Sequence, residues 1–220
     1  MIVKSISKWL SEATTQLKDA AIESGRLDAE LLLSCAIDKP RTYLHAHSDE
    51  QLDTATIKKA DEMLVQRCNH VPIAYIFGFK QFYGRDFAVT HDTLIPRPET
   101  EVLIELSKKY SPGGAKILDI GTGSGAIGIT LQSELPSATI TLSDISEPAL
   151  NVARKNANRL LDKTLHVVKS DLLQNWIGRT DFQYDMIVAN LPYVGRDWDI
   201  SPETTAEPDL ALFADDNGLH

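Results

Sequence analysis

"KILDIGTGSGAIGI", residues 116–129, carries an apolar run into three glycines spaced two apart, Gly121, Gly123 and Gly125, and then into a second apolar run. Ile117, Leu118 and Ile120 read as a buried strand and the glycines as a tight turn. The residues from Gly125 onward open a helix over 125–133. The alternation continues downstream: "TITLSDI" (139–145), "LHVVKSD" (165–171) and "DMIVAN" (185–190) are further strands, separated by a helix over 148–161 and a loop or short helix over 172–178. This pattern predicts an α/β fold with a parallel sheet and helices on both faces. In such sheets ligands bind beyond the carboxyl ends of the strands.

Upstream the pattern differs. Ile2, Ile6, Trp9 and Leu10 begin an apolar stripe at helical spacing, and "RLDAELLLSCAI" (26–37) is a run of strong helix formers after Gly25. A third helix is expected over 48–69, with Leu52, Ile57, Ala60, Met63, Leu64 and Arg67 on one face and Pro72 closing it. "IAYIFGFKQFYGRDFAVT" (73–90) alternates aromatic and β-branched residues around Gly78 and Gly84, as a hairpin does. "LIPRPETEVLIELSKKY" (94–110) follows as a proline-stiffened segment. Glu99, Thr100 and Glu101 then open a helix with Val102, Leu103 and Leu106 as its apolar face, ended by "SPGG" (111–114). The expected organisation is a small helical domain (1–72), a β-hairpin linker (73–92) and an α/β domain (93–220).

Composition limits the function. The chain has 220 residues, 43% hydrophobic and 24% charged, which suits a globular protein with one main core and a smaller satellite. A formal net charge of −9 argues against nonspecific attraction to a nucleic-acid backbone. Polar residues interrupt the opening "MIVKSISKWL", and no apolar run reaches signal-peptide or membrane-span length, so a cytoplasmic protein without membrane contact is expected. Cys35 and Cys68 lack zinc-type spacing and read as reduced thiols, and "HAH" (45–47) offers two histidines without a second ligand pair. No metal site is expected.

The chemistry gathers at the strand ends. Gly121, Thr122, Gly123, Ser124 and Gly125 form a loop that lets a ligand approach the backbone, with amides at the helix start to receive polar groups. Residues 123–128 also fit the dinucleotide GxGxxG pattern. Asp144, nineteen residues after Gly125, is placed to accept both hydroxyls of a ribose. Asp171 ends the third strand, where it can receive an adenine amino group or cap the next segment. Asp119, two residues before the first glycine, adds a carboxylate that suits a sulfonium or ammonium cation better than a pyrophosphate, favouring S-adenosylmethionine over NAD.

"NLPY" (190–193) decides more strongly. An amide or aromatic amine is a poor nucleophile, so an enzyme must hold both its N–H groups and aim the lone pair. The Asn190 side-chain oxygen and the Leu191 main-chain carbonyl can accept those hydrogens. Pro192 confines Leu191 to an extended conformation, and Tyr193 can stack on the planar group.

"LIPRPETE" (94–101), "ILDIGTGSGAIGI" (117–129), "NLPYV" (190–194) and "EPDLALFADDNGL" (207–219), with "RLDAELLL" and "PIAYIFGFKQFYGRDFAV" in the helical part and after it, together resemble the HemK/PrmC family. The resemblance covers nearly the whole chain. It implies a Rossmann-like, S-adenosylmethionine-dependent methyltransferase domain behind a helical substrate-recognition domain. The implied activity is methylation of the glutamine side-chain amide in the Gly-Gly-Gln motif of peptide-chain release factors, leaving S-adenosylhomocysteine. On this resemblance the cofactor loop falls on Gly121 to Gly125, the ribose acid on Asp144 and the adenine side on Asp171 and Leu172. The glutamine-binding and catalytic tetrad falls on Asn190, Leu191, Pro192 and Tyr193.

The family often has tryptophan at Leu172 and usually proline at Leu191. Its members also usually continue past "NGL" with a helix and a final strand pair, so a chain stopping at His220 is expected to lack the last strands and to be less stable or self-associating. Two other functions compete. "NLPY" also resembles the motif of ribosomal RNA adenine dimethyltransferases, and the chain could be a noncatalytic module binding cofactor or a partner.

Overall fold

A computed structural model describes residues 4–180 and 183–214 and divides the chain into two compact units, one ending at Phe77 and one beginning at Gly78. In the first, β1 (Lys4–Ser5) pairs antiparallel with β2 (Gln51–Leu52). Helices α1 (Ile6–Asp19), α2 (Gly25–Ile37), α3 (Arg41–Ala46), α4 (Thr54–Cys68) and α5 (Ile73–Phe77) enclose Trp9, Leu10, Leu17, Leu32, Leu33 and Leu64. The stripe on α1 is buried from Ile6 onward; Ile2 lies outside the described residues. Helix α4 starts six residues later than 48 because Asp53 caps it, accepting the Thr56 amide at 2.8 Å, while residues 51–52 are extended against β1. Arg67, on its apolar face, is fully buried. Its Nε donates to Asp28 at 2.7 Å, and the Ser24 hydroxyl donates to the same carboxylate at 2.9 Å.

The second unit opens with the hairpin of β3 (Phe79–Phe82) and β4 (Arg85–Ala88), which turns at Tyr83 and Gly84, both with positive φ. The hairpin is an integral part of this unit and not a linker. Phe82 and Phe87 are buried in the same core as Ile104 and Ile117, while residues 73–77 are helical and belong to the first unit. There follow a 3₁₀ turn (Pro98–Thr100), α6 (Glu101–Tyr110), β5 (Lys116–Ile120), α7 (Ala126–Glu134), β6 (Thr139–Asp144), α8 (Glu147–Leu160), β7 (His166–Lys169), β8 (Met186–Ala189) and α9 (Asp209–Leu212).

Helix α6 is rotated from the expected phase. Ile104 and Ser107 are buried, whereas Val102 and Leu106 are 56% and 45% exposed. Apolar residues at 102, 103, 104 and 106 leave the rotation undecided. The hairpin decides it: the Tyr83 amide donates to Glu101 at 2.8 Å, and the Tyr83 hydroxyl donates to Glu105.

The four strands β5 to β8 are parallel, in the order β7-β6-β5-β8. Ile117, Ile140, Leu142 and Val188 face a core shared with α6, α7 and α8. The connections β5 to β6 and β6 to β7 run the same way along the sheet, so right-handed crossovers carry α7 and α8 over one face. The connection from β7 to β8 returns past both neighbours and crosses the other face, with a 3₁₀ turn at Gln174–Trp176. The direction of winding therefore reverses between β5 and β8, which opens a crevice beyond their carboxyl ends. Among the described residues no helix is long and apolar enough to cross a membrane.

Candidate active site

The crevice is floored by the loop from β5 to α7. Gly121, Gly123 and Gly125 all have positive φ, at 66°, 55° and 83°. A Cβ at Gly121 would lie 3.0 Å from Leu191 Cδ2, so this glycine allows the loop to touch the turn after β8. Gly125 has a different task. It caps α7, and a Cβ there would lie 2.6 Å from Ile129 Cδ1 of the same helix and 3.3 Å from Ala153 Cβ, so the missing side chain lets α8 pack closely against the start of α7.

Several loop amides are already engaged. Thr122 donates to the Ser143 carbonyl at 2.9 Å, Gly123 to Asp144 Oδ2 at 2.8 Å, Gly125 to the Thr122 carbonyl at 2.8 Å and Gly128 to Asp119 Oδ2 at 2.9 Å. The sequence suggested amides at the helix start open to polar groups. Two of these four donate to carboxylates and two to carbonyls, so these amides are not open to a ligand.

Asp119 supports the loop from beneath. Its Oδ2 accepts the Thr122 hydroxyl at 2.6 Å as well as the Gly128 amide, and its side chain is completely buried. Burial pushes its pKa up to about 7; the hydrogen bonds from Thr122 and Gly128 pull it down, and the nearby Asp144 pushes it up. Asp119 lines neither of the two cavities that open beyond the strand ends. Its side chain leaves the strand toward α7, where a Cβ on Gly128 would lie 2.9 Å from Oδ2.

Asp144 closes the loop from β6. Oδ2 holds Gly123 and Oδ1 accepts the Ser146 amide at 2.9 Å, while the Ser146 hydroxyl caps α8 at Ala149. Each carboxylate oxygen keeps further acceptor capacity toward the crevice. There a cavity of about 370 Å³ is lined by Gly121, Thr122, Gly123, Ser124 and Asp144, by Asp171 and Leu172, and by Asn190, Leu191 and Pro192. Leu172 is half-exposed with φ 44°, so it presents an aliphatic surface where the HemK/PrmC pattern often has an indole. Ile145, Leu94 and Pro96 add to the apolar wall. From the sequence none of the three is assigned to the cofactor site, although Leu94 and Pro96 lie in "LIPRPETE" and Ile145 directly follows Asp144.

A second cavity, of about 490 Å³, is lined by Arg97, Thr100, Tyr193 and Val194. Asn190, Leu191 and Pro192 line this one too and form a wall common to both, whereas Tyr193 belongs to the second alone. Among the described residues no donor engages the Asn190 side-chain amide or the Leu191 carbonyl. Two acceptors thus stand open at the junction of the cavities.

Residues 8–78 match the PrmC N-terminal domain, and residues 98–204 match the Methyltransferase small domain. The release factor glutamine methyltransferase of Koribacter versatilis is 39% identical over 98% of this chain and 78% of its own length. The chain belongs to the release factor glutamine methyltransferase family. The Escherichia coli release factor glutamine methyltransferase is 37% identical, over 96% of this chain and 76% of its own. A bifunctional methyltransferase of Rickettsia bellii is 38% identical over 98% of this chain but 44% of its own length, so the chain spans about half of that relative.

The cofactor of this methyltransferase family is S-adenosylmethionine, and the cavity residues fit it. Asp144 offers acceptors for ribose hydroxyls, and Ile145, Leu172, Leu94 and Pro96 offer apolar surface for a purine. The Asp144 carboxylate, which holds the Gly123 amide and lines the cavity, also suits a positively charged ligand.

Proposed function

We propose that this chain methylates the side-chain amide nitrogen of a glutamine in the Gly-Gly-Gln motif of peptide-chain release factors, in the cytoplasm. The observation that carries the proposal is the wall shared by the two cavities: a turn bearing two unengaged acceptors separates a cofactor-shaped cavity from a second chamber. The names of the relatives support the same substrate.

S-adenosylmethionine, when bound, supplies an electrophilic methyl group on a positively charged sulfur. Asn190 and the Leu191 carbonyl accept the two N–H hydrogens of the substrate amide and so hold the plane of that amide while its nitrogen faces the cofactor cavity. Pro192 limits Leu191 to extended backbone, which keeps the second acceptor in place. Tyr193, 61% exposed in the second chamber, offers its ring to the planar amide. The methylated nitrogen is acidic enough to release a proton to solvent.

The test offers purified release factor and ribosomal RNA side by side with methyl-labelled cofactor. Label is expected on the glutamine of the release factor. Label in RNA alone overturns the proposal.

A further inference from the structure

We propose that Arg97 and Glu207 are positioning residues, which hold residues 207–214 as a strap across both cavities and thereby set the acceptor turn at 190–193. The inference rests on the amide-methylation function proposed above.

Glu207 is 110 residues from Arg97 in sequence, yet its side chain is only 2% exposed and meets two groups of the "LIPR" segment. Oε2 accepts the Ile95 amide at 2.9 Å, and Oε1 accepts the Arg97 guanidinium. A carboxylate this buried is costly unless it is paired and hydrogen-bonded, so the two contacts hold each other in place. The opposite end of the strap is fixed to the residue after Tyr193. Val194 donates to the Leu212 carbonyl at 3.1 Å, and Ala214 donates to the Val194 carbonyl at 3.0 Å. Between these anchors Pro208, Leu210 and Phe213 face the cofactor cavity, Leu212 faces the second chamber and Ala211 lines both.

The strap is therefore fastened at one end to the segment preceding α6 and at the other to the backbone that carries the acceptors. Displacing the clasp moves the wall common to the cavities; Arg97 also lines the second chamber, whereas Glu207 lines neither cavity, so Glu207→Gln loosens the clasp without altering either lining. Loss of the clasp reaches the reacting geometry through Val194, where small misplacements cost large factors in rate. Because the acceptors act mainly in the transition state, kcat falls more than ground-state binding does.

The experiment uses the whole chain with Arg97→Met, Glu207→Gln and the double variant. Three quantities are read: kcat and KM for release factor, the dissociation constant of S-adenosylmethionine by calorimetry, and hydrogen exchange at the Val194 and Ala214 amides without any substrate. Each single variant is expected to lower kcat at least tenfold, to change KM and cofactor affinity less than about threefold, and to speed exchange at both amides at least tenfold. The double variant is expected to be no worse than the poorer single one. Unchanged exchange, kcat within twofold of wild type, or strictly additive losses overturns the proposal. If the wild-type chain transfers no methyl to release factor, the function proposed above fails; the exchange measurement still decides whether the clasp holds the strap.

Discussion

Replacing Asp119 with asparagine removes a charge from beneath the glycine loop while keeping its shape. In the wild type the carboxyl titrates near 7, against an ordinary value of 3.8, because folding buries it completely. Its folded pKa lies above its unfolded one, so the folded state holds the proton more tightly. The associated stability is fully present below about 3.8 and is lost as pH rises through about 7. At about 1.4 kcal/mol per pH unit, the loss from this site is about 3 kcal/mol between pH values of about 5 and about 8. Asparagine keeps an oxygen for Thr122 and Gly128 and places an NH₂ where Oδ1, without a partner, now sits. That orphan donor costs about 1–3 kcal/mol at every pH. Relative to wild type, Asp119→Asn is therefore expected to gain about 3 kcal/mol on going from the lower pH to the higher. Urea denaturation of both proteins at the two pH values measures this directly, and groups common to both cancel. Parallel pH profiles would refute the assignment of a buried, proton-holding carboxyl at 119.

The other predictions concern the two cavities and the helical unit. Asn190→Ala should abolish methyl transfer while leaving S-adenosylmethionine affinity within about tenfold by calorimetry, since the lost acceptor serves mainly the substrate; cofactor binding weaker by several orders of magnitude would assign Asn190 elsewhere. Asp144→Ala should weaken cofactor binding by about 100-fold, because it removes the ribose acceptor and leaves the Gly123 and Ser146 amides without their partner. An affinity within threefold of wild type would contradict that role. Arg67→Met leaves the Asp28 carboxylate buried and should destabilise the helical unit by about 3–5 kcal/mol, read as a lowered Tm; adding Asp28→Leu should recover most of the loss.

Much of the site was legible because it is local. The passage from an apolar strand into closely spaced glycines, an acid ending the next strand and "NLPY" after another are short-range patterns. Each needs only neighbouring residues to fix its conformation, and parallel-sheet topology brings the strand ends together. Alternation along residues 116–190 likewise determined the α/β class and the order of its strands and helices. Other features depended on contacts between distant segments. The hairpin joined the second unit because Phe82 and Phe87 found its core, and α6 took its rotation from Tyr83. Asp119 braces the glycine loop from beneath because its position in the strand points it toward α7. The touch of Leu191 on Gly121 and the grip of Glu207 on Ile95 and Arg97 join residues 70 and more than 100 apart, for which no local pattern exists. Sequence by itself determined which groups stand at the strand ends. Tertiary packing decided which of them face the cavities, because burial, register and helix rotation are set by the whole core and not by any one segment of it.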